Sequence, residues 1–232
     1  MRDKCYMIPV QKKCNMNCCF CSTKLRPYDN EREMMVVNQN FYENLEYICG
    51  RGIRYLEFTG GGEPFLNSRL QDIMYAIREQ IPDAYIKVYT NGKVHSVIEG
   101  IDELDISVIH WDRKTVFDLC GYDDTISLED HLAFFRENGN YQIRLSVPMI
   151  NGAISNREAA LELIERTRGY ADRYVFRPLN PKTKKYAELW ADFDLHAENA
   201  EIDRNFCDCD EIILWFSNNK MYKDWNLTER LR

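Results

Sequence analysis

Apolar residues along this chain follow two alternating periods. Short β-rich runs give way to stretches in which apolar positions recur at helical spacing, and that alternation predicts βα units. The first strand reads Tyr6 to Val10; a cysteine-rich loop follows, then a helix with Val37, Phe41, Leu45 and Ile48 on one face, closed by Gly50. Strand two is Arg54 to Phe58, and after Gly60 to Pro64 a helix from about Ser68 aligns Leu70, Ile73, Met74 and Ile77. Tyr85 to Tyr89 supplies strand three, with Thr90-Asn91-Gly92 and a short helix near Val94 to Ile98 after it. Leu104 to Ile109 reads as strand four, followed by helical stretches around Lys114 to Leu119 and Ser127 to Glu137. Strand five is Tyr141 to Val147. Ser155 and Glu158 have capping-box spacing and open a helix to about Arg168, and Tyr174 to Phe176 is strand six.

Six such units in order predict an α/β fold. Right-handed crossovers curl the sheet into a partial (β/α)6 parallel barrel with its chemistry at the C-terminal strand ends. The chain has 232 residues, and at roughly 100 to 200 residues per domain that length fits one domain with a short appendage. The barrel core spans residues 1–177 and a C-terminal extension spans 178–232. Within the extension, residues 178 to 210 are polar and poorly periodic. Ile212 to Phe216, the turn Ser217-Asn218-Asn219-Lys220 and Met221 to Trp225 then predict a β-hairpin.

Composition narrows the class. Hydrophobic residues make up 45% and charged residues 29% of the chain, enough for a core that needs no staples. A net charge of -7 gives no electrostatic footprint for broad nucleic-acid or anionic-membrane binding. Apolar runs stay far short of the ~20 residues of a spanning helix, and the N-terminus MRDKCYMIPVQKKC lacks the apolar region of a signal peptide. The expectation is a cytoplasmic protein without membrane attachment. There, nine cysteines point away from disulfides and toward metal binding or catalysis. Cys14, Cys18, Cys19 and Cys21 crowd together, Cys207 and Cys209 form a late pair, and Cys5, Cys49 and Cys120 read as core thiols.

Cys14-Asn-Met-Asn-Cys18-Cys19-Phe20-Cys21 contains a C-x3-C-x2-C spacing directly after the first strand. A [4Fe–4S] cluster normally takes four cysteine ligands, so three would leave one iron open. A zinc site is the alternative, but it wants four N or S ligands, and the nearest downstream histidine, His95, lies on another unit. With Phe20 just before the last cysteine, the loop resembles the defining motif of the radical S-adenosylmethionine superfamily. That resemblance implies that Cys14, Cys18 and Cys21 hold a [4Fe–4S] cluster and leaves Cys19 as an extra thiol.

The resemblance extends over residues 4 to 177. Gly60-Gly61-Gly62-Glu63-Pro64 looks like the family's GGEP segment, which holds the methionyl amine of S-adenosylmethionine; glycines allow close backbone approach and Glu63 offers acceptors to an ammonium. Thr90-Asn91-Gly92 looks like its TNG segment, although an Asn-Gly turn also arises for local reasons. Ser107, Arg144 and Ser146 lie where relatives contact the ribose and carboxylate, and Arg144 can grip a carboxylate bidentately; outward-facing strand positions are the alternative for Ser107 and Arg144. The stretch Leu104 to Leu179 looks most like the branch of the molybdopterin-biosynthesis cyclase and peptide-modifying enzymes. The cyclase's second cysteine triad has no full match, since only Cys207-Asp208-Cys209 stands there.

In the family, an electron into the cluster cleaves S-adenosylmethionine to methionine and a 5′-deoxyadenosyl radical, which abstracts hydrogen from a substrate. The cofactor carries the chemistry while the protein positions it, so no general acid or base is assigned. The resemblance thus implies a radical enzyme served by a flavodoxin- or ferredoxin-type reductant. The primary expectation for substrate is a small polar metabolite such as a nucleotide or sugar derivative. A peptide or protein substrate, including a glycyl-radical enzyme to be activated, is the first rival, and an Fe–S electron carrier or sensor is the second. His110 after strand four and Arg177 at the end of strand six are candidate substrate contacts. Lys182, Lys184 and Lys185 read as a solvated loop or an anion site. Cys207 and Cys209 stay open among inert thiols, metal ligands and a catalytic thiol.

Overall fold

A computed structural model of the protein describes residues 4–25, 33–179, 184–204, 212–223 and 229–231. The elements run β1 (Lys4–Ile8), α1 (Gln39–Gly50), β2 (Tyr55–Phe58), α2 (Leu70–Gln80), β3 (Tyr85–Thr90), β4 (Glu103–Ser107), α3 (Arg113–Cys120), α4 (Leu128–Asn138), β5 (Gln142–Met149), α5 (Arg157–Arg166), β6 (Arg173–Pro178), β7 (Ala200–Ile202), β8 (Ile212–Phe216) and β9 (Met221–Tyr222). They form one sheet in the order β7-β6-β5-β4-β3-β2-β1-β8-β9. Every pairing is parallel except β8 with β9. This is the open, parallel-dominated α/β sheet of a partial barrel, with β1 to β6 as its six successive units. The segment after residue 177 does not stand apart from the sheet: β7 lies against β6 and β8 against β1. Among the described residues no helix is long and apolar enough to cross a membrane.

Period-two alternation along the strands sorts side chains onto two faces. Cys5, Met7, Leu56, Phe58, Ile86, Val88, Leu104, Ile106, Leu145 and Val147 share one core with Phe41, Leu45 and Ile48 of α1, Ile73, Met74 and Ile77 of α2, Leu132 and Phe135 of α4 and Leu163 of α5. The alternate positions face the barrel interior and are mostly polar, apart from Ile8 with Leu214 and Phe216. There Lys4 Nζ meets Glu57 Oε1 at 2.8 Å, Lys87 Nζ meets Glu103 at 2.7 Å and Asp105 at 3.2 Å, and Arg144 Nε donates to Asp105 Oδ2 at 2.7 Å. The register of β3, β4 and β5 puts these groups in one layer across the barrel.

Two local expectations are corrected. Residues 94–98 form no helix: Val94, Val97 and Ile98 are β-branched and lose rotamer freedom in one, while His95 is held by tertiary contacts. Its ring stacks on Phe134 at 4.3 Å and its Nε2 lies 2.7 Å from His131 Nδ1. The cap of α5 is Asn156, whose Oδ1 accepts from Ala159 N at 2.9 Å, and not Ser155; asparagine caps as well as serine, so the helix begins one residue later. The hairpin is present as β8–β9, with Leu214 opposite Tyr222 and Trp215 opposite Met221. Cys207, Cys209, Lys182 and Trp225 lie outside the described residues.

Candidate active site

The loops at the C-terminal ends of β1 and β2 interlock through their backbones, and side chains tie the loop after β3 to both. Lys12 N donates to Gly61 O at 2.7 Å, and Glu63 N donates to Lys13 O at 2.9 Å. This docking is why glycines stand there. A Cβ on Gly61, whose φ is +71°, would lie 2.0 Å from Val10 O, and one on Gly62 would lie 2.1 Å from Lys13 O. The glycine run therefore lets the β2 loop lie flush against the backbone of the cysteine loop.

Glu63 ties the β2 loop to the β3 loop. Its Oε1 accepts from Phe65 N at 3.0 Å and Thr90 Oγ1 at 2.8 Å, and its Oε2 accepts from Asn91 N at 2.7 Å. Asn91 continues the chain of contacts, with Nδ2 donating to Asn15 Oδ1 at 2.7 Å and lying 3.8 Å from Cys14 Sγ. Thr90 Oγ1 in turn accepts from Gly92 N at 3.1 Å. Burial pushes the Glu63 carboxyl up from 4.5 to about 7, against the three hydrogen bonds that favour its charge. In the unfolded chain it titrates near its ordinary value. Between those two pH values the folded protein holds a proton that the unfolded chain has lost, so this group's contribution to stability falls as pH rises through the window. Glutamine carries no such term. On the ligand-free protein, the cost of Glu63→Gln relative to wild type is expected to be largest near pH 5 and to shrink by about 2 to 3 kcal/mol by pH 8. Urea denaturation of both proteins at the two pH values checks this; a pH-independent difference would show that Glu63 titrates normally.

The loops enclose a cavity of about 440 Å³ lined by Cys14, Cys18, Cys21, Gly60, Gly62, Glu63, Thr90, Asn91 and Ser107, within the range of small-molecule sites. Thr59 and Tyr89 add hydroxyls, Met16, Phe20, Ile109 and Leu179 add apolar wall, and Cys19, an exposed thiol, is not among the lining residues. Arg177 and Asp203 also line it, joined by Arg177 Nε to Asp203 Oδ2 at 3.1 Å. The structure does not bring every candidate here. Arg144 lies one layer deeper, bound to Asp105 and reaching Tyr89 Oη at 3.2 Å. Ser146, beside Ser107 in the register, is buried, and its Oγ has no hydrogen-bond partner among the described residues. His110 stacks on Trp111 at 3.9 Å, accepts from Asp112 N at 2.9 Å and faces a small adjoining cavity; burial lowers its pKa. Tyr89 and Asp203 were not singled out in the sequence. Tyr89 was discoverable from the alternation Tyr85-Lys87-Tyr89 within an otherwise apolar strand, whereas no local pattern marks Asp203.

The C-x3-C-x2-C loop, the glycine-backed Glu63 and this cavity coincide with what comparison with known proteins finds. A model of the Radical SAM superfamily matches residues 8–174. The chain belongs to that superfamily. GTP 3',8-cyclase of Clostridium acetobutylicum is 32% identical over 87 residues, which are 37% of this chain and 26% of that enzyme. Streptococcus suis SuiB bound to precursor peptide SuiA aligns over 100% of this chain and 64% of its own, with TM-score 0.68 and 14% identity. A radical SAM methyltransferase from Sphaerobacter thermophilus aligns over 78% of this chain and 57% of its own, with TM-score 0.59 and 18% identity. At such identities the structural likeness shows the fold. The chain spans less than two thirds of the length of these relatives.

Membership of that superfamily implies an iron–sulfur cluster and S-adenosylmethionine. The residues present suit both. Among the described residues no three His, Cys, Asp or Glu side chains converge on a single-ion site; the three thiols instead share one cavity wall. The hydroxyls of Thr59, Tyr89, Thr90 and Ser107 among the lining residues, with the apolar wall beside them, suit a polar ligand that also has apolar parts.

Proposed function

We propose that Cys14, Cys18 and Cys21 hold a [4Fe–4S] cluster and that the cavity between them, Gly60 to Glu63, Thr90, Asn91 and Ser107 binds S-adenosylmethionine. When bound, this pair supplies a 5′-deoxyadenosyl radical able to abstract hydrogen from a small polar metabolite. The observation that carries the reading is that the three thiols and the Glu63 loop line one cavity. Glu63 Oε2 accepts one bond from within the protein and keeps a lone pair for an ammonium. The apolar wall of Met16, Phe20, Ile109 and Leu179 limits water at the reacting carbon, which a radical reagent requires. Arg177 is the only lysine or arginine among the described lining residues and suits a phosphate or carboxylate, which favours a nucleotide or sugar derivative.

A peptide substrate is the second reading, favoured by the fold's full alignment with SuiB bound to its precursor peptide. Anaerobic reconstitution with iron and sulfide, then dithionite and S-adenosylmethionine, is expected to yield 5′-deoxyadenosine in the wild type and none in a Cys14/Cys18/Cys21→Ala triple variant. Nucleotides and sugar phosphates, compared with short peptides, are expected to accelerate that release; acceleration by peptides alone would move the reading to the second substrate class. A bound cluster with no product and no change in its EPR signal on adding S-adenosylmethionine would leave an electron carrier.

A further inference from the structure

Arg177 and Asp203 reach the cavity from different elements, and Asp203 belongs to the segment beyond the barrel core. Arg177 lies beside Pro148 in the register of β5 and β6. Its neighbour Phe176 is in the core under the helices, so the alternation of β6 turns Arg177 to the barrel interior. Asp203 follows β7 and continues its pairing with β6, since its N donates to Phe176 O at 2.9 Å. The next residue is pinned as well. Arg204 Nη2 donates to Asp192 Oδ1 at 2.8 Å and to Phe193 O at 3.1 Å, and Phe193 packs edge-on to Phe176 with ring centroids 6.4 Å apart. A backbone bond to β6 and the Arg204 clamp together fix where the Asp203 carboxylate sits.

That carboxylate holds Arg177 at one atom. Nε donates to Asp203 Oδ2 at 3.1 Å, and neither terminal nitrogen of Arg177 donates to a described residue. A guanidinium tied through Nε keeps its Nη1–Nη2 edge, a planar fork that matches two oxygens of a carboxylate or phosphate. The side chains of Arg177 and Asp203 are 36% and 27% exposed, so the pair is open to a ligand rather than sealed in the protein. An unrestrained arginine loses rotamer freedom when it binds, and one already oriented has less to lose. We propose that Asp203 is a positioning residue that presents the Arg177 fork to an oxyanion of the substrate, a carboxylate or a phosphate, and so sets where that group lies in the cavity. The inference rests on this cavity being the substrate site, and it gives the segment after β7 a share in substrate recognition.

The test uses ligand-free protein. Phenylglyoxal labels guanidinium groups, and peptide mapping by mass spectrometry follows Arg177 as inorganic phosphate or acetate is added. The concentration giving half protection does not depend on the intrinsic labelling rate. Arg69, bound to Asp72 at 3.2 Å with its side chain 65% exposed, is the reference for an ion pair on the open surface. Arg177 is expected to be protected at clearly lower concentrations than Arg69, and the anion that protects it better names the substrate group. Asp203→Ala removes the acceptor and is expected to raise the half-protecting concentration roughly three- to tenfold, the penalty for immobilising one flexible side chain on binding. Asp203→Asn, whose Oδ1 can still accept from Nε, is expected to stay near wild type. Equal protection of Arg177 and Arg69 in the wild type overturns the oxyanion site. Equal changes in both Asp203 variants overturn the positioning role: tighter protection means a competing charge, weaker protection a loss of local structure, and no change a pair without bearing on the ligand. Should Asp203→Ala fail to fold, Asp203→Ser, one bond too short for Nε, takes its place. A wild type that forms no 5′-deoxyadenosine on reconstitution is a failure of the radical reading alone, because protection of Arg177 is read without cluster or S-adenosylmethionine.

Discussion

Gly62→Ala is expected to lower 5′-deoxyadenosine formation by about 100-fold, because misplacing a catalytic element by roughly 1 Å costs about that much. The added Cβ would sit 2.1 Å from Lys13 O and 2.7 Å from Lys13 C. Both are backbone atoms, so no side chain can swing away. The β2 loop and the cysteine loop must separate, and the bond from Glu63 N to Lys13 O, 2.9 Å long, is the first to go. Overpacking of this kind costs about 1 to 3 kcal/mol, with roughly 1 kcal/mol more for the lost bond. Gly50→Ala is the control: nothing lies within 4 Å of its Cβ, it ends α1, and the change should be neutral or slightly stabilising. Urea denaturation and product assay of both variants separate the cases. If Gly62→Ala behaves like Gly50→Ala, the two loops are not held by close backbone contact.

This glycine shows how far the sequence can be read. The repeating units, their order and the placing of the cysteine and glycine loops at strand ends follow from hydrophobic period, which is a local property. The partner of a close approach is not local. From the sequence the glycines read as making room for a ligand, whereas Gly61 and Gly62 make room for the chain itself, at Val10 and Lys13. Cys120 likewise reads as a core thiol, and it is buried, but only the packing of α3 on the loop puts it beside Cys18. Short connections hid as well: residues 94–98 have helical spacing of apolar groups, yet the His95 contacts with His131 and Phe134 hold the segment open.

The charged strand residues make the same point with a larger energetic consequence. Glu57, Lys87, Glu103, Asp105 and Arg144 each alternate with apolar neighbours, which in any one strand suggests a solvated face. Only the register across β2 to β5 shows that the faces close on one another. Arg144 then serves Asp105 and Glu103, the latter at 3.4 Å, rather than the cavity above.

Asp105→Asn is accordingly expected to destabilise the ligand-free protein by about 3 to 5 kcal/mol, the cost of removing one partner from a buried ion pair. Asp105 is 0% exposed and Lys87 2%, and the aspartate faces both Lys87 and Arg144. Asparagine keeps the volume and one acceptor but leaves two buried cations with Glu103 as their carboxylate. The contrast is Lys114→Ala, which breaks an exposed ion pair with Asp118 within α3 and should change stability by no more than about 0.5 kcal/mol. Urea denaturation of the two variants tests the difference; equal small effects would mean that the layer is hydrated and screened. The layer also bears on the site above it. Tyr89 lines the cavity, while its hydroxyl donates to Glu57 at 2.9 Å and accepts from Arg144, so a floor that loosens releases a wall. Product formation in Asp105→Asn should therefore fall even under conditions where the variant remains folded, although no atom of residue 105 lines the cavity.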